Sequence, residues 1–354
     1  MSLATRAVLA LLALPALASA WGWQGHKLIT ELAIDRLPAE IRAIYAPVMA
    51  QLLESTVEPD KRVFKDPREG PKHFLNLEVL DPSYHAAWAQ ADPGLLTKPK
   101  RAKHGHKHQW GDDAPEAASS ASAADEVPHT PALQEATFGG KLPLSAADAD
   151  KLYASLPPDE AAYFKAYEAA YQKEVGQVVY QPAHYYAELV KAFRAGDPAR
   201  IAGVTGFLSH YTGDLHVPLH NTIDHEGGFS HTRFIGKGAN ATVHSRFETG
   251  LLKFLTPALP ALAAKHLKAP ATQDPAGITA RAMRESREAW ALYPSVIEAD
   301  RATMAKYPGK TVQWQRFYGD LEPRMAPVVG EQLAKSAQML ADLIVTAWQE
   351  SKKK

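Results

Sequence analysis

The sequence predicts an all-α fold, a single helical domain, and three observations carry that prediction. Apolar residues recur at three- and four-residue spacing in most ordered-looking segments, alternating strand patterns are scarce, and prolines and capping residues sit where helices should start or stop. Residues 24–37 read as a first helix, with apolar Leu28, Leu32, Ile34 and Leu37 recurring along it and Pro38 at its end. Residues 159–174 and 182–195 are rich in Ala and Tyr and helical in pattern. Asp197-Pro198 pairs a capping residue with a proline suited to a first turn, and opens a helix running to about His216, before Pro218. Another helix begins near Val243 and passes Leu252, and residues 311–349 support two more. No internal repeat is visible.

The two ends of the reading frame for this domain are set by composition. Residues 1–20, MSLATRAVLALLALPALASA, hold one charged side chain, Arg6, then an apolar run and the small-x-small triplet Ala18-Ser19-Ala20. The apolar run from Ala7 to Leu17 is shorter than the ~20 residues a membrane-spanning helix needs. It reads as a secretory signal cleaved after Ala20, which leaves a secreted or periplasmic chain of 334 residues beginning at Trp21 and no transmembrane segment. Residues 90–145 are rich in Pro, Ala, Ser and charge without apolar period, and read as a disordered insertion within one domain, 21–354. The His-Gly-His-Lys-His stretch at 104–108 within it is a solvated loop with weak metal affinity at most.

Lys and Arg number 39 and so do Asp and Glu, and losing Arg6 leaves 38 against 39. No global basic field advertises nucleic acid or an anionic membrane. There is no cysteine, so an exported chain must be stabilised by its core and by any bound metal, not by disulfides.

The chemistry is concentrated in residues 207–220, FLSHYTGDLHVPLH. His210 and Asp214 are four apart and project from one helix face, and Pro218 can turn His220 back toward them. His244 and Glu248 form a second i, i+4 pair, after a glycine-rich loop. Asp60 and His73 lie in a turn-rich stretch, and Trp21 and His26 stand at the front. If the signal is removed, the Trp21 α-amine and carbonyl become a chelating pair, although on that stretch alone an aromatic cap is the simpler role. Nitrogen and oxygen donors without thiolate suit zinc, with manganese, iron or nickel as the other metals such a set holds.

Taken together, W-G-x-x-G-H, the Asp60/His73 pair, H-Y-x-G-D-x-H-x-P-L-H and H-x-x-F-E-T resemble the zinc-dependent phospholipase C and single-strand-specific nuclease superfamily. The resemblance implies an all-α phosphoesterase with three zinc ions (Zn2+) in a cleft. It assigns Trp21 and His26 to one ion, Asp60, His73 and His210 to a second, and His220, His244 and Glu248 to the third, with Asp214 bridging the first two. Asp60 and Asp214 become the candidate catalytic residues, Asp60 as proton acceptor or as ligand. Paired zinc ions activate water near neutral pH, and a third can neutralise the leaving oxygen.

Within the superfamily the signals divide. Glu248 and the run HSRFET resemble the phospholipase branch, as PDKR…DPREGPKHFLNLE and YYAELVKAFRAGD resemble bacterial phospholipase C-like proteins. The short Trp21–His26 spacing and the long loop from His220 to His244 resemble the nucleases, whose bases stack on aromatics; Tyr84, Trp88, Phe229 and Phe234 are candidates. The expectation is a phospholipase C-type enzyme acting on a phospholipid head group, with a single-strand-specific nuclease or nucleotidase as the alternative. A secreted zinc carrier is the non-enzymatic reading, and a bridging carboxylate argues against it. No stable protein partner is implied. Asn240-Ala241-Thr242 is a glycosylation sequon, relevant where the host glycosylates.

Overall fold

A computed structural model describes residues 21–84, 144–228, 230, 232–235, 240–309 and 311–353. The insertion expected at 90–145 and the signal at 1–20 fall outside the described residues, save the last two positions of the former. Among the described residues there is no strand beyond an isolated antiparallel bridge between Leu75 and Gly176, and the fold is all-α.

The helices of the first segment are α1 (Gly22–Arg36), α2 (Ala39–Tyr45), α3 (Met49–Ser55) and α4 (Glu58–Val63). Then come α5 (Ala146–Ser155), α6 (Glu160–Ala166), α7 (Ala169–Val175), α8 (Gln181–Ala195) and α9 (Pro198–Leu215). Later in the chain come α10 (Val243–Ser245), which continues through a π-helical stretch into a short helical turn at Leu252–Leu255, and then α11 (Leu259–Ala264), α12 (Ile278–Trp290), α13 (Tyr293–Met304) and α14 (Trp314–Ser351).

Gly196-Asp197-Pro198 makes the tight corner between α8 and α9. Gly196 ends α8 in the left-handed region, Asp197 accepts from the Ala199 and Arg200 amides, and Pro198 fixes the first turn. From Thr205 onward α9 is buried all round, as expected of a helix enclosed by others. It packs on α1, α3, α8 and α14. Gly206 permits the α3 contact, because a Cβ there would meet Ser55 Cβ at 2.5 Å. This central helix is the scaffold of the site.

Three expectations are corrected. The stretch 159–174 is broken at Tyr167 and Glu168 into α6 and α7. The stretch 311–349 holds one helix, not two: Pro323 and Pro327 lie inside α14, which begins at Trp314. Both prolines are on its exposed face, so water can satisfy the carbonyls that lose a donor, while the opposite face stays continuous in the core. Asp60, expected among turns, lies on the short helix α4, whose first turn accepts Pro59 without loss of a hydrogen bond. No helix of the described residues is long and apolar enough to cross a membrane.

Candidate metal centre

Five separate segments deliver side chains to one buried region. His26 comes from α1, Asp60 from α4, and His73 from the end of a 3-10 turn (Gly70–His73). His210 and Asp214 share a face of α9, and His220 lies in the 3-10 turn Pro218–Asn221 that follows it. His244 is on α10, which runs without a break into a π-helical stretch (Arg246–Leu251) that carries Glu248. The predicted i, i+4 pair is therefore present, though its second member stands on a wider helical turn.

These side chains fall into three groups whose donor atoms lie within 4.8 Å of one another: His26, His210 and Asp214; Asp60, His73 and His210; His220, His244 and Glu248. Asp214 Oδ1 faces His26 Nε2 at 3.3 Å and His220 Nδ1 at 3.6 Å. Its Oδ2 faces His73 Nδ1 at 2.9 Å and His210 Nε2 at 3.1 Å. One carboxylate thus borders more than one group through different oxygens. Asp60 Oδ1 is 3.8 Å from His73 Nδ1 and 3.6 Å from His210 Nε2. Glu248 Oε1 is 3.2 Å from His220 Nε2 and 2.7 Å from His244 Nε2.

The donor spacing fits a zinc ion. Zinc with nitrogen ligands at about 2.0–2.1 Å in a tetrahedron separates those ligand atoms by about 3.3 Å. His220 and His244 approach Nε2 to Nε2 at 3.2 Å, and His210 Nε2 approaches His73 Nδ1 at 3.0 Å. Two imidazole lone pairs aimed at each other repel unless a proton or a cation lies between them.

Tautomers are fixed from behind. His210 Nδ1 donates to the Thr56 carbonyl at 2.9 Å and His220 Nδ1 to the His73 carbonyl at 2.9 Å, which leaves each Nε2 bare on the cluster side. His73 is turned the other way, with Nδ1 inward and Nε2 buried without a hydrogen-bond partner among the described residues. His26 lies against α9 with its ring stacked on His210, centroids 4.1 Å apart. Gly213 makes room for it: a Cβ there would meet His26 Nδ1 at 2.7 Å.

Burial would raise the Asp214 carboxyl, but the facing His210 and His220 hold it well below the usual carboxylate range. Glu248 is likewise opposed by burial, yet His244 and His220 bring it down to about 2. For His210 burial lowers the imidazole, and the charges of Asp214 and Asp60 overcome that and push it up to about 9. His220 and His244 are raised against burial by Glu248 in the same way. His26 is pushed down, by burial first and His210 second. Ionised carboxylates facing proton-hungry imidazoles are the arrangement in which a divalent cation replaces protons.

Trp21 is buried against Phe247, with ring centroids 5.9 Å apart, next in sequence to Glu248. Its carbonyl accepts from the His26 amide at 3.0 Å, which leaves a second lone pair on that oxygen. Of the aromatics considered for base stacking, Tyr84 is packed in the core and Phe234 is 56% exposed. Trp88 and Phe229 lie outside the described residues.

Several supporting residues escaped the sequence reading. Thr30 bonds the His26 carbonyl, Thr56 and Ser209 at 2.7–3.0 Å, pinning α1 to α9 one turn from the site. Thr30 follows His26 by four residues and Ser209 precedes His210, so hydroxyls at helical spacing from the histidines were the available signal. Buried Glu69 accepts from Tyr211 and from Lys72, behind His73. Arg246, fully buried, makes two 2.6 Å bonds to Asp300 on α13 and fixes the π-helical stretch. Glu226 bonds His244.

An all-α chain that gathers histidines and carboxylates into adjoining groups around one shared aspartate has the form of a metal-dependent phosphoesterase. The family model of the S1/P1 nucleases matches residues 21–349, and the chain belongs to that family. It is therefore a hydrolase of phosphoester bonds in a zinc-dependent family, and the zinc-carrier reading is set aside. No curated protein matches the sequence.

Proposed function

We propose that this protein is a nuclease that hydrolyses the phosphodiester bonds of single-stranded nucleic acid, using three zinc ions. The observation that carries the proposal is Asp214, whose two oxygens are divided among His26, His73, His210 and His220 within a chain of the S1/P1 nuclease family. In this reading Asp60, His73, His210 and Asp214 hold one ion, and His220, His244 and Glu248 hold another. His26 and Asp214 hold the third with the Trp21 amine and carbonyl, once the chain has been cut after Ala20. Zinc bound there supplies Lewis acidity and activated water near neutral pH.

Asp60 is the ligand-set carboxylate most open to solvent, 32% against 2% for Asp214 and 4% for Glu248. It is thereby suited to accept a proton from, or to orient, an incoming water at the cleft mouth. The buried Asp214 and Glu248 are suited to ligation alone. Export to the periplasm or medium is part of this proposal, supported by the start of the family match at Trp21, directly after Ala18-Ser19-Ala20.

The expectation of phospholipase C activity rested on Glu248, the HSRFET run and the likeness of PDKR…DPREGPKHFLNLE and YYAELVKAFRAGD to bacterial phospholipase C-like proteins, and the family match favours the nuclease alternative over it. The test is a side-by-side assay of zinc-loaded protein on single-stranded DNA and phosphatidylcholine at matched pH. The proposal predicts DNA hydrolysis at least about tenfold faster; faster phosphatidylcholine hydrolysis would return the assignment to the phospholipase branch.

A further inference from the structure

The three histidines whose outward nitrogen is bonded differ in what receives that bond. His210 and His220 give their Nδ1 protons to neutral backbone carbonyls, of Thr56 and His73, and the Asp214 carboxylate stays 3.6 Å from His220 Nδ1, beyond hydrogen-bond distance. His244 gives its Nδ1 proton to the carboxylate of Glu226, with Oε1 at 3.3 Å. We propose that Glu226 is the positioning residue of the site formed by His220, His244 and Glu248, turning His244 into the strongest imidazole donor of the cluster. The inference rests on the metal-centre reading above and adds to it a residue outside every ligand group.

The geometry is specific on both sides of the ring. With Nδ1 committed to Glu226, the bare nitrogen of His244 is Nε2, which faces Glu248 Oε1 at 2.7 Å and His220 Nε2 at 3.2 Å. A carboxylate behind an imidazole does more than a carbonyl does. It holds the ring orientation and tautomer, and its charge also makes the opposite nitrogen a better base and metal donor.

The segment carrying Glu226 is built to hold that carboxylate still. Gly227 has φ +78°, and a Cβ on it would fall 2.0 Å from Thr232 Oγ1, so glycine is required at the bend. The Gly227 amide donates to the Asp224 carbonyl at 2.8 Å and the Thr232 amide to the Gly227 carbonyl at 2.9 Å. The Thr232 hydroxyl donates to the Gly227 carbonyl at 3.1 Å, and Asp224 itself is buried and accepts from Tyr293 at 2.6 Å.

The other Glu226 oxygen, Oε2, is buried and makes no hydrogen bond among the described residues. Buried Glu78, by contrast, spends both oxygens on its surroundings, accepting from the Ile223 amide on one and from the Thr222 hydroxyl and the Trp290 indole N–H on the other. Glu226 instead has an oxygen on the back of a ligand-group histidine.

The experiment compares full-length processed protein with Glu226→Gln and Glu226→Asp by zinc titration against a competing chelator. Cobalt absorption reports the coordination of the same site, and thermal unfolding of chelator-treated protein reports the fold. Wild type should bind zinc at three sites, and Glu226→Gln should weaken one of them by about 10–100-fold while two remain. Glu226→Asp keeps the charge and should recover part of the lost affinity, and metal-free unfolding should be similar in all three. Three undiminished sites in Glu226→Gln would overturn the proposal. So would a zinc loss matched by a fall in metal-free stability and not relieved by Glu226→Asp. A wild type that leaves His220, His244 and Glu248 without zinc would instead overturn the metal-centre reading on which the proposal stands.

Discussion

At the scale of single residues, the site is a competition between protons and a cation for the same lone pairs. His210 is pushed up to about 9 by Asp214 and Asp60 against its burial. In metal-free protein its contribution to stability is therefore complete below its ordinary value of 6.5 and lost as pH rises through about 9. Glu248 lies at about 2, so its contribution is present above its ordinary 4.5 and lost as pH falls toward 2. Metal-free protein should be most stable between those two windows, near pH 5–6, and should weaken on both sides. Zinc replaces the protons of the imidazoles, so the stabilisation by zinc should grow from pH 6.5 to 9. Thermal midpoints of chelator-treated and zinc-loaded protein over that range check this, and two parallel curves would contradict it. His26, Asp60, His73, His210, Asp214, His220, His244 and Glu248 were singled out in the sequence, the two i, i+4 pairs by spacing and the whole set by its resemblance to the superfamily's motifs, and the fold brings them together. Thr30, Ser209, Glu226 and Arg246 were not, because each acts through a partner far along the chain, and a single sequence does not display which partner tertiary packing selects.

At the scale of elements, legibility followed helix length. The longer α1 and α8, and α9 with its Asp197 cap, were visible within a residue or two. The short α2, α3 and α4 were not, since six or seven residues scarcely complete two turns and leave no period to read. Prolines misled in the other direction at α14, where solvent takes over the lost hydrogen bonds of an exposed face. The π-helical stretch after α10 was invisible because it is held by a distant ion pair. Arg246 and Asp300 are both buried, so Asp300→Ala leaves an uncompensated guanidinium in the core, a change that costs about 3–5 kcal/mol. Denaturant unfolding of metal-free protein should register that loss, together with weaker zinc binding at the Glu248 site. A cost below about 1 kcal/mol would mean that the pair does not anchor the stretch.

At the scale of the whole molecule, the helical packing brings residues from 26 to 248 together on α9, and the proposed centre is completed by an event outside the fold. The carbonyl of Trp21 is already engaged with the first turn of α1, and the α-amine exists only when the chain begins there. An additional residue before Trp21 converts that amine into an amide, which has no basic lone pair to give. Helix packing does not depend on the change, so the consequence should fall on metal content and not on folding. The decisive measurement is zinc per chain, for protein starting at Trp21 and for protein carrying one extra N-terminal alanine. The account predicts three ions in the first and two in the second, at equal helicity, from the three donor groups. Equal zinc content in the two proteins, or fewer than three ions in the protein that starts at Trp21, would contradict it.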